Sequence, residues 1–129
     1  MNNNKFLYQE LTGKIIHCCI DVHKELGCGF LEKVYQEALA IVFKEEGIEF
    51  EREKHLPIQF RGTTLQCDYI ADFVVDNKII LELKALAHLE PLFEAQVINY
   101  LRATGLQVAL LINFGQKELQ VKRIAANIY

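Results

Sequence analysis

The sequence predicts a mixed α/β fold in one domain, residues 1–129, and two observations carry this prediction. Apolar residues at helical spacing fill the first third of the chain, whereas alternating or unbroken apolar runs dominate the rest, with one further helix among them. The predicted element order is therefore α-α-β-β-β-α-β-β, a sheet of mixed strand direction covered by helices. A length of 129 residues suits one domain, and no Gly-, Ser- or Pro-rich tract offers a linker.

Two amphipathic helices are predicted in the first third of the chain. The first runs from Phe6 to Leu26, with Gly27 as its C-terminal stop. The second follows Cys28-Gly29 and closes at Gly47. Its apolar stripe is predicted to contain the residues Leu31, Val34, Tyr35, Ala38, Leu39 and Val42. On the helical wheel, Leu31, Val34, Ala38 and Val42 are taken as the buried part of this stripe.

Three strands are predicted in the middle of the chain. Residues 48–60 alternate between apolar and polar side chains, and Pro57 confines this strand to a sheet edge or a bulge. After a turn at Arg61-Gly62-Thr63, a second strand alternates from Leu65 to Val75. Its partner is predicted over Ile79–Lys84.

The last third of the chain predicts a helix and two strands. The helix begins at Pro91 and runs to about Thr104, where Gly105 stops it. The nearly unbroken apolar run Val108–Ile112 predicts a strand that is covered on both faces. A more exposed partner strand is predicted over Lys117–Ile124.

Charge and cysteine content restrict the function. The net charge of −3, without a basic tail, counts against tight non-specific binding of nucleic acid, which depends on neutralising phosphates. It is compatible with a small site whose positive charge is a bound metal.

The cysteine content argues against a zinc site or a disulfide. Reduced and partly buried thiols are expected, rather than zinc ligands or disulfides, because no CxxC occurs among the cysteines Cys18, Cys19, Cys28 and Cys67.

No segment suits a membrane or secretion. The longest apolar run, Val108–Ile112, is too short to cross a bilayer, and residues 1–5 lack the apolar segment of a signal peptide. A cytoplasmic location without a membrane partner is therefore expected.

One predicted hairpin carries charges inside apolar strands. Glu82 and Lys84 share a strand face because residues two apart point the same way. A two-residue turn at Asp76-Asn77 would place Asp72 on the other face from Glu82. A third turn residue, Lys78, would instead set the two carboxylates directly opposite each other.

The apolar pattern favours the three-residue turn, which pairs Val75 with Ile79. In that register one face of the hairpin is entirely apolar and the other carries the charges. The apolar face comprises Phe73, Val75, Ile79, Leu81 and Leu83, and the other comprises Asp72, Val74, Ile80, Glu82 and Lys84.

Two carboxylates directly opposite each other repel, so a positive charge is expected between them. Lys84 is one candidate and a divalent metal is the other. Mg²⁺ prefers oxygen ligands, often one or two carboxylates with water and phosphate, and a lysine beside it can steady a developing oxyanion or the attacking hydroxide. The alternative is a structural acid–lysine pair at the end of a sheet.

The spacing of Asp72 and Glu82-Leu83-Lys84 on neighbouring strands, followed by a helix and a strand, resembles the PD-(D/E)XK nuclease superfamily. Ala71 stands where the motif often has proline. Residues 29–35, GFLEKVY, match the motif of the small bacterial GxxExxY proteins, a group assigned to this superfamily. The resemblance implies a restriction-endonuclease-like core, αβββαβ, with an extra N-terminal helix and a C-terminal strand.

Gln96 and Tyr100, on the helix after the hairpin, resemble the QxxxY element of the RecB-like branch of the superfamily. They lie about 40° apart on the helix surface, so they could contact a nucleic-acid strand together. The alternative is an ordinary amphipathic helix with a tyrosine at its border.

Glu32 is the third predicted metal ligand, because a helix acid often completes the metal site in related nucleases. Relative to the buried part of the predicted stripe, Glu32 falls about 90° from the centre, whereas Glu37, the reserve candidate, falls about 130° away. The alternative for Glu32 is an acid that the helix dipole favours.

The resemblance implies a nuclease that depends on Mg²⁺ or Mn²⁺ and acts on DNA or RNA. Asp72, Glu82 and Glu32 would bind the metal, and Lys84 would orient or stabilise the attacking water. The alternatives are a binding or regulatory module that keeps the fold without turnover, and a structural protein whose charged face is an interface. So short a chain leaves little room for a nucleic-acid clamp, so a homodimer or a partner protein would supply that surface.

Overall fold

The computed structural model describes residues 7–126, which form three helices and five strands in the predicted order. The helices are α1 (Gln9–Leu26), α2 (Glu32–Glu45) and α3 (Pro91–Thr104). The strands are β1 (Phe50–Phe60), β2 (Thr63–Val75), β3 (Ile79–Lys84), β4 (Val108–Asn113) and β5 (Gln120–Ala125). None of the helices in this range is long and apolar enough to cross a membrane.

The five strands form one mixed sheet in the order β1-β2-β3-β4-β5. β3 and β4 are parallel, and every other neighbouring pair is antiparallel. Parallel neighbours need a crossover connection, and α3 provides it. β4 is buried along its whole length, which confirms the prediction that both of its faces are covered.

Helices cover the sheet on both faces. On one face, α1 and α2 pack against a core that includes Phe73, Leu81 and Leu110. On the other face, α3 packs against a second core that includes Ile80 and Leu111. The predicted division of the β2–β3 hairpin is confirmed for its apolar residues, since the all-apolar face meets α1 and α2.

Several predicted element boundaries are confirmed and others shift. α3 begins at Pro91 and ends before Gly105, as predicted. α1 begins at Gln9 because residues 7–8 form a turn, and the predicted start at Phe6 lies outside the described residues. β5 begins at Gln120 rather than at Lys117, because residues 115–118 bend away from β4.

The buried face of α2 differs from the predicted one. Tyr35, Leu39 and Phe43 are fully buried, whereas Leu31 is 80% exposed. Tyr35 and Leu39 of the predicted stripe are therefore confirmed as buried, and Ala38 and Val42 pack at the border of the core. The four residues taken as the buried part were wrong in their centre, because Leu31 lies outside the buried face and Phe43 extends it on the other side. Relative to the three fully buried residues, Glu32 lies about 20° from the centre of the buried face, and not about 90° from it.

In both β1 and β2, the side chains that point to the α3 side of the sheet give way, at Glu53 and Asp72, to side chains that point to the α1–α2 side. Tyr69 and Ala71 pack with α3, but Phe73, two residues further on, packs with α1 and α2. The Cα pairing of the two strands skips Glu53 and Asp72 at this level, and Glu53 has a positive φ of 51°. The single alternating face predicted for β2 was therefore wrong, because the strand kinks at Asp72.

The sheet edge and the thiols agree with expectation. Pro57 lies in the edge strand β1, and the pairing register shifts between Pro57 and Gln59, as the bulge prediction requires. The cysteines are free, with Cys18 and Cys19 buried and the other two exposed. Burial raises the pKa of Cys18 to about 11, so this thiol stays protonated.

Gly115 lies against the backbone that follows β3. A Cβ at this position would clash with the Leu86 backbone nitrogen and oxygen and would lie 2.6 Å from the Ala85 carbonyl carbon. The Asn113 side chain ties the same segment down, accepting from the Leu86 N–H at 2.9 Å and donating to its carbonyl at 3.0 Å. The chain that leaves Lys84 is thus held by close backbone packing.

We expect Gly115→Ala to destabilise the fold by about 1–3 kcal/mol, because backbone atoms cannot yield to the added methyl group as a flexible side chain would. Gly13→Ala is the matched control, since nothing lies within 4 Å of its Cβ position in α1. That substitution should stabilise the fold by about 0.5–1 kcal/mol. Urea denaturation measures both changes, and equal effects would contradict the packing argument.

Candidate active site

The β2–β3 hairpin closes through the predicted three-residue turn. Val75 pairs with Ile79, and the Lys78 N–H donates to the Val75 carbonyl at 3.0 Å. Asp76 and Asn77 have positive φ values of 52° and 54°, a conformation that these two residue types tolerate. The turn therefore has the predicted form, and the two strands are in register from it as far as Phe73 and Leu81.

Beyond the turn, β2 and β3 separate at a point that we call the strand fork (Asp72, Glu82 and Leu83). Regular pairing ends at Phe73 and Leu81. The Asp72 N–H then donates to Glu82 Oε1 at 3.2 Å, and the Leu83 N–H donates to Asp72 Oδ2 at 2.8 Å. Each carboxylate thus accepts a backbone N–H that the separation of the strands withdraws from the ladder.

The electrostatics of the fork favour protonated carboxyl groups. Burial raises the pKa of Glu82 to about 7, and the neighbouring Asp72 contributes to the rise. Burial also raises the pKa of Asp72, while its hydrogen bonds from Leu83 and Gln36 oppose the rise. Ionising both acids together is costly, and a cation between them would remove the cost.

Glu32 is half-buried at the start of α2 and interacts with the fork electrostatically. Burial raises its pKa first, Asp72 raises it further, and Lys84 lowers it. The structure therefore places Glu32 within the electrostatic influence of Asp72 and Lys84. Glu37 is exposed and lies 3.9 Å from Arg52 instead.

Lys84 lies on the α3 side of the sheet. Its Nζ is 4.6 Å from the centre of the Phe93 ring, a cation–π contact. Within residues 7–126 it has no carboxylate oxygen within 4 Å, although its charge lowers the pKa of Asp72 and Glu82. Lys84 accompanies the carboxylate pair without bridging it.

Gln36 and Arg52 support Asp72, and the sequence analysis missed both. Gln36, which is 3% exposed, donates from Nε2 to Asp72 Oδ1 at 2.9 Å. Arg52 Nε donates to Gln36 Oε1 at 2.8 Å, which fixes the orientation of the amide. The sequence offered one signal for Gln36, since it lies one helical turn after Glu32 and so on the same side of α2. This signal was missed because the centre of the buried face was predicted in the wrong place. Asp72 is thereby turned toward α2.

Tyr69, also missed, supports Glu82. Its hydroxyl donates to Glu82 Oε1 at 2.6 Å, and the Tyr100 ring stacks on it with centroids 3.6 Å apart. Tyr100 is therefore packed behind the carboxylate pair. Gln96 is exposed on the same helix.

Residues 29–35 position the start of α2. Gly29 has a positive φ of 109°, which favours glycine. The buried Tyr35 hydroxyl donates to the Gly27 carbonyl at 2.6 Å and accepts from the Phe30 N–H at 3.3 Å. Its ring stacks on Phe114 with centroids 4.6 Å apart. This loop and its tyrosine fix where Glu32 enters the site.

The donor set fits a small divalent cation held through two carboxylates. Asp72 and Glu82 supply oxygen ligands, and each has a raised pKa that a cation would reverse. Within the described residues no group of three His, Cys, Asp or Glu side chains is arranged to hold a metal. The fit is to an ion that keeps water or substrate oxygens in its remaining positions, as Mg²⁺ does.

Comparison with known proteins identifies the family and the fold. The family model of the PD-(D/E)XK nuclease superfamily matches residues 9–124. The crystal structure of SSO0001 is similar at a TM-score of 0.58 and 16% identity, over 95% of this chain. The chain spans only 62% of the length of SSO0001, so the similarity concerns the fold alone. Among curated proteins, none matches this sequence. The predicted restriction-endonuclease-like fold is confirmed.

The raised pKa of Glu82 predicts an unusual pH dependence of stability. The folded protein binds more protons than the unfolded chain between pH 4.5, the ordinary value, and about 7. The free energy of unfolding should therefore fall as the pH rises through this window, by about 1–3 kcal/mol. Urea denaturation at pH 5 and pH 8, with EDTA present, measures this change.

Glu82→Gln should remove most of that fall and raise stability at pH 8. The exposed Glu118→Gln is the matched control and should keep the wild-type slope. A wild-type protein that gains stability between pH 5 and pH 8 would contradict the placement of Glu82.

Gln36→Leu should cost about 1–3 kcal/mol of stability, because it leaves buried polar atoms of Asp72 and Arg52 without their partner. It should also raise the pKa of Asp72, since the amide hydrogen bond lowers it. Carboxyl NMR titration measures that pKa directly. Glu37→Gln, the neighbouring control, should change neither quantity, and an unchanged Asp72 pKa in Gln36→Leu would refute the supporting role.

Proposed function

This chain belongs to the PD-(D/E)XK nuclease superfamily, and we propose that it is a nuclease that hydrolyses phosphodiester bonds with Mg²⁺ or Mn²⁺. The observation that carries the proposal is the strand fork, where the two partly buried carboxylates of Asp72 and Glu82 meet beside Lys84. Ionising two acids in one partly buried place is costly, and a divalent ion beside them would remove that cost.

The residues divide the work of hydrolysis as follows. Asp72 and Glu82 would hold the ion, with Glu32 placed to bind it through water. The ion would supply positive charge for the phosphate and acidify a water molecule. Lys84, fixed over Phe93, would orient the attacking water and stabilise the negative charge that develops as the phosphorus–oxygen bond of the leaving group breaks.

Gln36 and Tyr69 would hold the carboxylates in place. Together with the backbone N–H groups of the fork, they use two acceptor positions on each acid, and the remaining lone pairs are left for the ion. Tyr100, behind Tyr69, would act mainly through this support, while the exposed Gln96 would contact the nucleic acid. This modifies the expectation that Gln96 and Tyr100 contact the substrate together.

We propose that the chain belongs to the GxxExxY group and to the RecB-like branch of the superfamily. The support is the loop at residues 29–35, in which Gly29, Glu32 and Tyr35 each have a distinct structural task. Gln96 and Tyr100 support the branch. A cytoplasmic location, and a homodimer or a partner protein that extends the substrate surface, belong to the same proposal.

A non-catalytic binding or regulatory module is the alternative function. The net charge of −3 favours it, because the chain has little charge of its own with which to attract nucleic acid. Cleavage separates the two functions, and metal binding by Asp72 and Glu82 separates both from a purely structural acid–lysine pair.

Lys84→Ala should reduce cleavage of DNA or RNA by at least about 100-fold without unfolding the protein, because it removes charge at the reacting phosphate. Lys78→Ala, which removes an exposed lysine from the β2–β3 turn, is the matched control and should keep activity. Cleavage with Mn²⁺ and calorimetric metal binding are measured together. Absence of both in the wild-type protein would refute the proposed function.

A further inference from the structure

The outer part of the β1–β2 hairpin projects from the sheet, and we call residues 54–67 the hairpin arm. All ten residues 59–68 are exposed, on both faces of the ribbon. The tip is nevertheless ordered by pairing, with Phe60 opposite Thr63 and a hydrogen bond of 2.7 Å from Gln59 to the Thr64 hydroxyl. A two-stranded ribbon exposed on both faces is marginally stable alone. A partner that covers one of its faces would stabilise it, so this surface is suited to contact another molecule.

The chemistry of the hairpin arm differs from that of the whole chain. The chain is acidic, but residues 54–67 contain no Asp or Glu. Lys54 is paired with Glu51 at 2.8 Å and His55 with Asp68 at 2.9 Å, at the base of the arm. Arg61, at the tip, makes no ion pair within residues 7–126 and lies 5.3 Å from the centre of the Phe60 ring.

Beside the exposed apolar side chains of Phe60 and Leu65, the arm carries four exposed, uncharged hydrogen-bonding side chains. They are Gln59, Thr63, Thr64 and Gln66. Side chains of this kind, with an arginine and an aromatic ring, are those that bind phosphates and base edges. Residues 54–67 thus add no carboxylate to this surface, and the exposed Asp68, which lies opposite Pro57, is paired with His55.

Pairing of the arm with a strand of another protein is disfavoured. β1 is the edge strand, but Pro57 lacks an N–H and the register is bulged between Pro57 and Gln59. Glu53, at the base of the arm, has a left-handed backbone. Edges interrupted in this way resist strand addition.

We propose that the hairpin arm binds in the major groove of duplex DNA, with Arg61 on the phosphate backbone. The major groove of B-DNA admits a two-stranded ribbon, whereas the narrow major groove of duplex RNA does not. This inference rests on the proposed function and names its substrate class. β2 runs without a break from the arm to Asp72. Nine residues of strand span about 30 Å, so the tip would contact DNA about nine base pairs from the cleaved bond.

Arg61→Gln tests the proposal against Lys14→Gln, the matched control. Lys14 is an exposed lysine on α1 beside Glu10, and the change in net charge is the same. Binding of a fluorescent 30-base-pair DNA duplex is measured by anisotropy in EDTA across a range of salt concentrations. Arg61→Gln should weaken binding about 5- to 10-fold and reduce the slope of log K against log salt by about one, while Lys14→Gln should change neither.

Two further measurements complete the test. Duplex RNA of the same sequence should bind at least about 10-fold more weakly than the DNA, and Arg61→Gln should not affect it. Equal DNA affinity of the Arg61→Gln and Lys14→Gln proteins would overturn the proposal. The proposal would also be overturned if light scattering showed that the wild-type protein is a dimer and that Phe60→Ser converts it to monomers, while the DNA affinity per chain stays the same.

These outcomes are independent of the proposed catalytic function. EDTA removes metal and cleavage from the binding experiment, so a change in duplex affinity reports on the arm alone. Conversely, intact cleavage that depends on Lys84 but not on Arg61 would reject the arm as the DNA contact and leave the nuclease proposal standing.

Discussion

The arrangement of the site depends on the exchange of hydrogen bonds at the strand fork. Where β2 and β3 separate, the Asp72 N–H is bonded by Glu82 and the Leu83 N–H by Asp72. Without these bonds the separating strands would leave buried backbone N–H groups unsatisfied, at a cost of about 1–3 kcal/mol each. The two acids therefore stabilise the same opening of the sheet that exposes them to a ligand.

That double role explains the electrostatic state of the site. The fork brings two carboxyl groups together in a partly buried place, where the pKa of Glu82 reaches about 7. Lys84 lies over Phe93 and does not neutralise the pair by direct contact. Within the part of the chain that the structure describes, the two acids therefore lack a neutralising positive charge in direct contact. The repulsion between them lowers the free energy of unfolding, and a bound cation would remove this repulsion and so stabilise the folded state.

The sequence predicts the hairpin register well because several signals agree there. Asp76 and Asn77 tolerate the left-handed backbone conformation of the three-residue turn, and the unbroken apolar face fits the same pairing, Val75 with Ile79. The centre of the buried face of α2 could not be predicted in this way, since Leu31 and Tyr35 both belong to the apolar stripe and helical periodicity does not rank them. Gln36 and Tyr69 were missed because their importance lies in tertiary contacts with the acids, which spacing along the chain does not encode.

The kink at Asp72 connects the site to the rest of the hairpin. Because β1 and β2 change faces together at Glu53 and Asp72, Tyr69 lies on the α3 side and can reach Glu82, while Asp72 turns toward Gln36 on the α2 side. A regular strand would place Tyr69 and Phe73 on one face and deprive one acid of its support. One irregularity of the backbone therefore gives each acid a supporting side chain on its own side of the sheet.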